Sequence, residues 1–429
     1  MTFLEELAVR RRFGMKPGLD SIRAVCAALG NPQERFRAVH VAGTNGKGAV
    51  CAMLDAALRG KPGMRVGRYT SPHLVRLNER FFLDGAPVDD ATLDRLSSSV
   101  SRTIEQSEHS NNRTIQSLTF FEALTAVAFL LYAEAQVDYA VLECGLGGRL
   151  DATNVCSPAV SVVTRIGLDH CDWLGETLEK IAAEKAGIVK PGVPVVLGRN
   201  EPSVRAVVEA RAREVGAPFF YAPDLADEGE IPADFSLVGS FNRENAVTAL
   251  AALKVLSGNR TIEHSQVEQF SRVVWPGRFQ RVGNFIVDGA HNPPAARALA
   301  EALAETIERS NSPNDRMILI CGFCGDKDVG AVLSTLAPFV ERGYAVRTNN
   351  PRSLSAEETA AKMRSAGIGA VPCASLREAI ERSGQARDRM VLVCGSLFLA
   401  GEALVELGAY PWPTTRFDPS ETLRPQGQA

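Results

Sequence analysis

Apolar residues in this chain fall into short unbroken runs separated by longer stretches of helical period. The runs at 38–42, 65–69, 140–144, 160–164 and 194–197 are too short for helices and apolar on consecutive positions, so they predict strands buried on both faces. Between them, 117–134 and 177–189 place apolar residues three and four apart and predict helices. Such alternation predicts a mostly parallel sheet with covering helices. Residues 80–88 read as a small hairpin turning on Asp84-Gly85. A second series at 285–287, 317–321, 345–347 and 390–393, each trailed by a helical pattern, predicts another α/β unit starting near Trp275-Pro-Gly-Arg278. The expected division is therefore 1–275 and 276–429. Residues 222–237, rich in Asp, Glu and Pro, predict a loop excursion, and the tail after Tyr410 is expected to fray.

The pattern gains chemical meaning at Val41-Ala-Gly-Thr-Asn-Gly-Lys-Gly-Ala49, which joins the apolar run 36–41 to a helical stretch at 49–58. Strand, glycine-rich turn and helix form the geometry that cradles phosphate: glycines let N–H groups face an anion, and the helix N-terminus adds partial positive charge. Lys47 can neutralise a phosphate oxygen. The competing reading is a plain tight turn. The common P-loop has Ser or Thr directly after its lysine to hold Mg²⁺. Gly48 and Ala49 stand here, so the metal of a bound nucleotide must be held from elsewhere.

Other candidates lie where predicted strands end, the edge at which open α/β sheets bind ligands. Glu143 closes an apolar run and is a hard-oxygen donor suited to Mg²⁺, or else caps the next turn. His170, in Thr164-Arg-Ile-Gly-Leu-Asp-His170, is a metal ligand, a group that polarises phosphate, or a structural histidine. Lys185 falls on the apolar stripe of Leu178, Ile181, Ala182, Ile188 and Val189. Either its stem snorkels to water or it serves a site, where a desolvated neutral amine could take up CO₂. Asp288 and His291 follow the run 285–287; Asn292 reads as an N-cap with Pro293 in the first turn, and Asp288 could bond ribose hydroxyls. The lone Cys321-Gly-Phe-Cys324 reads as a strand end, and His109 and His264 carry no signal.

Composition narrows the class. A chain of 429 residues asks for more than one core. A net charge of -3 gives no footprint for nucleic acid or a membrane surface. The N-terminus has no apolar core of a secretion signal, and the longest apolar stretch, 123–131, cannot span a bilayer. Nine cysteines, mostly inside apolar runs, fit a reducing cytoplasm. A cytoplasmic monomer is expected.

Taken together, these motifs resemble the folylpolyglutamate synthase/dihydrofolate synthase family of the Mur ligase superfamily. The likeness runs along nearly the whole chain. Its motifs include Arg12-Phe-Gly-Met-Lys-Pro-Gly-Leu19, Gly43-Thr-Asn-Gly-Lys-Gly48, Thr70-Ser-Pro-His-Leu74, Asn78-Glu-Arg80 and Leu118-Thr-Phe-Phe-Glu122. They continue with Gly145-Leu-Gly-Gly-Arg-Leu-Asp-Ala-Thr-Asn154, Leu168-Asp-His170, Asp172-Trp-Leu-Gly175, Glu184-Lys-Ala-Gly-Ile188 and Pro276-Gly-Arg278. Asp288-Gly-Ala-His-Asn-Pro293, Asp326-Lys-Asp328 and Cys394-Gly-Ser396 complete the set.

The resemblance implies an α/β fold: a P-loop-containing, mostly parallel sheet domain followed by a smaller Rossmann-like domain. It implies an ATP-dependent ligase adding L-glutamate to dihydropteroate or reduced folates through an acyl phosphate. By that likeness Gly43, Thr44, Asn45, Gly46, Lys47 and Gly48 hold the ATP phosphates, and Asn245, Arg278, Asp288 and His291 also bind ATP. Ser71, Glu143 and His170 hold one or two Mg²⁺ ions, and Lys185 is carbamylated. Lys47, His170, Lys185 and Arg278 form the catalytic set. Lys16, Pro17, Gly18, Thr119, Phe120, Leu150, Asp151 and Ala152 match places for the pterin-bearing substrate. The sequence departs from the family at Ala49, where Ser or Thr is usual, and at Phe241-Asn242, where His-Gln is usual. A Mur ligase acting on a UDP-muramyl peptide and a nucleotide-binding regulator without turnover remain as alternatives. The Ser71-Pro-His-Leu74 and Thr119-Phe-Phe-Glu122 stretches speak against the first.

Overall fold

The computed structural model describes residues 18–109, 118–258, 262–308, 316–384 and 389–413. They form two compact units. Among these residues the first unit takes 18–73, 77–236 and 243–273, and the second 74–76, 237–242 and those from 274 to 413.

The first unit is built on eight strands: β1 (Arg37–Ala42), β2 (Val66–Tyr69), β3 (Phe81–Leu83), β4 (Ala86–Pro87), β5 (Tyr139–Glu143), β6 (Pro158–Val163), β7 (Val195–Leu197) and β8 (Phe219–Tyr221). Their order is β4-β3-β2-β5-β1-β6-β7-β8. The pairings among β2, β5, β1, β6, β7 and β8 are parallel. β3 pairs antiparallel with both β2 and β4, and β3 and β4 form the hairpin edge. Its turn residues have positive φ, 50° at Asp84 and 90° at Gly85, the twist that a two-residue hairpin requires. β1 is the central strand. It pairs β5 and β6 in register, Val41 opposite Glu143 and Ala42 opposite Val163, so the loops leaving all three strands emerge side by side. That edge is the one favoured for ligands.

The helices follow local chemistry. The helix Lys47–Arg59 begins two residues earlier than the apolar pattern suggested, because Gly46 turns the chain at φ 85° directly into it. Phe120–Glu134 starts from a capping box, with Thr119 and Glu122 bonded reciprocally, and is buried around most of its circumference. Leu178–Ala186 is shorter than expected. Thr177 caps it through Lys180 N–H, and Gly187 ends it before Ile188 and Val189, which are buried beyond its end.

The second unit holds β9 (Gln280–Val282), β10 (Phe285–Val287), β11 (Met317–Cys321), β12 (Val340–Ala345), β13 (Gly369–Pro372) and β14 (Val391–Cys394), in the order β13-β12-β11-β14-β10-β9. All neighbours are parallel except β9 with β10. The strand expected at 345–347 lies earlier, at Val340–Ala345; Glu341 and Arg342 are exposed and interrupt the apolar run that would have marked it. The sequence reading missed β8, β9 and β13, which are edge strands without a fully buried residue. The excursion at 222–237 contains one helical turn, Ala222–Leu225, and a 3₁₀ turn, Glu228–Glu230, capped by Asp227. Cys321 ends β11 as expected, and all nine cysteines are unpaired thiols. Among the described residues no helix is long and apolar enough to cross a membrane.

One buried ion pair ties the helix after the glycine loop to the sheet. Arg68 on β2 lies 3.3 Å from Asp55, with side chains 5% and 1% exposed, and its guanidinium stacks 3.8 Å over the Phe82 ring. Arg59 adds a second contact to Asp55 at 3.1 Å. Removing one partner strands a buried charge. Asp55→Ala is therefore expected to cost about 3–5 kcal/mol of stability in urea unfolding, and Asp55→Asn less.

Candidate active site

The loop after β1 is laced to the loop after β6. Thr44 N–H and Asn45 N–H both donate to Arg165 O, at 2.9 and 3.3 Å. Thr44 Oγ1 donates to Gly167 O and accepts from Gly167 N–H, both at 3.1 Å. Thr164 Oγ1 donates to Asn45 O at 2.7 Å. Two glycines are required by contact. A Cβ on Gly43 would lie 1.8 Å from Thr164 Oγ1, and one on Gly46 would lie 2.2 Å from Asn245 Oδ1. Gly46 has no side chain to cap the helix that follows. The first-turn N–H groups of Lys47, Gly48 and Ala49 are thus available to an anion at the positive end of a 13-residue helix. Lys47 Nζ donates to Thr44 O at 3.1 Å, which sets its ammonium over the loop. Ala49 is buried in that first turn.

Lys185 does not snorkel. It is 4% exposed, and its Nζ donates to Gly43 O at 2.8 Å. The stripe points it beneath the glycine loop rather than toward water. Burial first, and the positive charge of Lys47 second, push its pKa down from 10.5 to about 7.

At the neighbouring end of β5, Glu143 is buried and its Oε2 accepts from Ser71 N–H at 3.0 Å. His170 stands on the far side of β1, on the loop after β6, with φ 53° and a side chain 46% exposed; its N–H donates to Asp169 Oδ1 at 3.0 Å. The structure thus joins Ser71 to Glu143 and leaves His170 on the loop after β6, with β1 between the two strands. Among the described residues no three His, Cys, Asp or Glu side chains form a metal cluster. Carboxylate and hydroxyl oxygens remain the donor chemistry that Mg²⁺ prefers.

The loop after β5 is fixed from several sides. Asp151 is buried; its Oδ2 accepts from Gly145 N–H and Leu146 N–H, both at 2.9 Å, and its Oδ1 from Thr153 N–H at 3.0 Å. Burial raises its pKa, while those hydrogen bonds pull it down. Arg149 N–H donates to Glu184 O at 2.8 Å, and Asn154 Nδ2 spans Arg149 O and Gly187 O at 3.0 and 3.1 Å. The loop is thereby docked on the end of the helix that carries Lys185. Phe121, next to Thr119 and Phe120, presses so closely that a Cβ on Gly145 would come within 2.6 Å of its ring. Leu150 is exposed at 36%, and Ala152 is buried. Gly18 precedes the helix Asp20–Ala28, which packs against the turn Ala152–Val155. Lys16 and Pro17 lie outside the described residues.

In the second unit, Arg278, Asp288 and His291 gather around Gly289. Asp288 accepts from Phe279 N–H at 2.8 Å and Ala290 N–H at 2.7 Å; burial raises its pKa, against the pull of Arg278. Arg278 Nη1 donates to Gly277 O at 3.1 Å and would lie 2.5 Å from a Cβ on Gly289. His291 Nδ1 is 2.7 Å from Gly289 O. Asn292 does cap the next helix, accepting from Ala295 N–H at 2.9 Å. Of the departing pair, Phe241 packs against the apolar core of this unit and Asn242 Nδ2 donates to Val238 O at 2.7 Å.

Sequence reasoning gave no role to His40 or Thr164, single polar residues within or at the end of apolar runs, nor to Thr153, which sits between Ala152 and Asn154 on a 3₁₀ turn. For His40 the signal available was a polar residue at a strand position with apolar neighbours, since such a group must find a buried partner.

Two outcomes follow. Gly46→Ala is expected to weaken binding of a non-hydrolysable ATP analogue at least about tenfold in titration calorimetry, since φ 85° and the Asn245 contact both oppose a Cβ. For Lys185 the pKa falls on folding, so its burial costs most below about pH 7, where both states are charged. Above that the folded lysine is neutral while the unfolded one still binds a proton, so stability recovers toward pH 10.5. Lys185→Met should therefore stabilise the protein more at about pH 6 than at about pH 9.5 in urea unfolding.

The chain is similar in sequence and fold to known proteins. The family model described as "Mur ligase middle domain" matches residues 41–215, and that described as "Mur ligase, glutamate ligase domain" matches 277–397. The chain is 32% identical over 425 residues to the dihydrofolate synthase/folylpolyglutamate synthase of Bacillus subtilis, covering 92% of this chain and 95% of that protein. Folylpolyglutamate synthase of Mycobacterium tuberculosis, solved with ADP and AMPPCP, superposes with a TM-score of 0.85 at 30% identity over 95% of this chain and 99% of that one. The bifunctional folylpolyglutamate synthase/dihydrofolate synthase of Yersinia pestis, solved with AMPPNP and a manganese ion, gives a TM-score of 0.79 at 31% identity over 92% and 94% of the two chains. The chain belongs to the folylpolyglutamate synthase/dihydrofolate synthase family of Mur ligases.

Proposed function

We propose that this ATP-dependent ligase joins L-glutamate to dihydropteroate and to reduced folates, and that it does so through an acyl phosphate. The observation that carries the reading is the phosphate loop of Gly43–Gly48 with a buried lysine bonded to its first carbonyl and a buried carboxylate at the next strand end. The names of the relatives, which include both activities, support the pair of substrates.

In this reading the first-turn N–H groups and Lys47 hold the β- and γ-phosphates, and Asn245 lies against the loop at Gly46. Arg278, Asp288 and His291 are the proposed nucleotide ligands of the second unit. An oxygen of the acceptor carboxylate attacks the γ-phosphorus, and ADP leaves with the bridging oxygen. The carboxylate, a poor electrophile, has become an acyl phosphate. The glutamate amine then adds to the acyl carbon, loses a proton, and phosphate departs from the tetrahedral intermediate. The step joins two anions, and positive charge from Lys47 offsets their repulsion. Bound magnesium would supply further screening of that charge, with Ser71, Glu143 and His170 as its donors. Gly18, Thr119, Phe120, Leu150, Asp151 and Ala152 would frame the acceptor, joined by Lys16 and Pro17.

Lys185 is proposed to carry a carbamate. Its amine, pushed toward the neutral form by burial, can attack CO₂; an N–C bond forms, a proton leaves nitrogen, and a hard-oxygen anion results beside the loop. We place the enzyme in the cytoplasm as a monomer; nine unpaired thiols agree with a reducing compartment.

The direct test is product mass analysis after parallel incubation with ATP, Mg²⁺, glutamate and either dihydropteroate or tetrahydrofolate. A glutamylated product from each is expected, and none from either would refute the reading. Growth of the Lys185 role is checked with ¹³CO₂: a carbamate carbon resonance should appear in the wild type and be absent from Lys185→Met.

A further inference from the structure

His40 lies within β1, fully buried, three residues before Gly43, and the chemistry above gives it no part. Its Nε2 is 2.7 Å from Thr153 Oγ1 and 3.1 Å from Cys144 Sγ. Thr153 Oγ1 in turn is 2.5 Å from Asp151 Oδ1. Three backbone N–H groups already converge on the Asp151 carboxyl, from Gly145, Leu146 and Thr153, as expected for an ionised, acceptor-only group. The Thr153 hydroxyl must then donate to Asp151, and its lone pair accepts from His40. That order makes His40 the neutral Nε2–H tautomer. Nδ1 is the bare nitrogen, which agrees with its having no partner in the core. Burial, reinforced by Lys190, pushes the His40 pKa down to about 3, so the ring stays neutral at any working pH. Lys190 itself is committed elsewhere, donating to Asn154 O at 2.6 Å.

We infer that His40 is a positioning residue for the acceptor substrate: through Thr153 it orients Asp151, and Asp151 sets the backbone of the loop 145–152. A one-way donor chain thus runs from the strand that carries the phosphate loop into the loop that frames the acceptor. Asp151 has its oxygens committed to this loop, so its contribution to substrate binding is to hold the loop's shape. An apolar residue would fill the same core position at no polar cost, and the histidine brings a directed donor in its place. The inference rests on the placement of the acceptor at this loop.

The test uses the full-length enzyme, with dihydropteroate and then ATP as the varied substrate. His40→Leu and Thr153→Val should each raise the KM for dihydropteroate about tenfold, the loss of one buried hydrogen bond, while the KM for ATP stays within about twofold. The double variant should be no worse than either single one, because both cut the same chain. Thr153→Ser, which keeps the hydroxyl, should behave as wild type. A parallel rise in both KM values, or a double variant that multiplies the two effects, overturns the inference. A second measurement needs no turnover and no variant that must fold. In ¹⁵N spectra of histidine-labelled wild type, His40 should show a protonated Nε2 and a bare Nδ1 from about pH 5 to about pH 9. A protonated Nδ1 overturns the assignment. Wild type that fails to glutamylate dihydropteroate would strike the functional reading instead, and the tautomer would still decide the role of His40.

Discussion

Everything at this site depends on the backbone of Gly43. A Cβ there would sit 1.8 Å from Thr164 Oγ1, and the carbonyl accepts from a buried lysine. Only a residue without a side chain lets the loop after β1 lie flat against the loop after β6. Only that close approach puts the Gly43 carbonyl where Lys185 ends. One steric condition therefore sets the glycine loop, the depth of Lys185 and the depression of its pKa together.

The sheet makes the condition possible. β1 is flanked in parallel register by β5 and β6, so three loops leave the same edge within bonding reach. Thr164 and Arg165 bind the first loop from one side. From the other, His40, Thr153 and Asp151 fix the loop after β5, which is docked on the helix that carries Lys185. Few of these contacts involve charged pairs at the surface, where ion pairs contribute little. They are backbone and hydroxyl hydrogen bonds in a dry interior, which constrain geometry more than they add stability.

Much of this was legible in the sequence, and what was not has a physical cause. Fully buried parallel strands announce themselves as apolar runs, and β1, β5 and β6 were readable for that reason. Edge strands are half solvated: β8, β9 and β13 have no such run, and β12 is interrupted by Glu341 and Arg342. The glycine loop was visible as a motif, and Lys185 stood out on its stripe. Its destination did not, because a lysine that snorkels and one that bonds to a buried carbonyl share the same periodicity. The partners of polar residues were the least legible part. Thr153 meets His40 across 113 positions and Thr164 meets Asn45 across 119, pairings that only the folded sheet creates.

The loop at Gly43 is proposed to serve transfer of a phosphoryl group to a carboxylate. That role is tested most directly by following oxygen. With dihydropteroate labelled with ¹⁸O in its carboxylate, the account predicts that the phosphate released during glutamate addition carries one labelled oxygen, because the acyl phosphate leaves with it. Phosphate that emerges without ¹⁸O while the glutamylated product accumulates would contradict the acyl-phosphate route and the role assigned to this site.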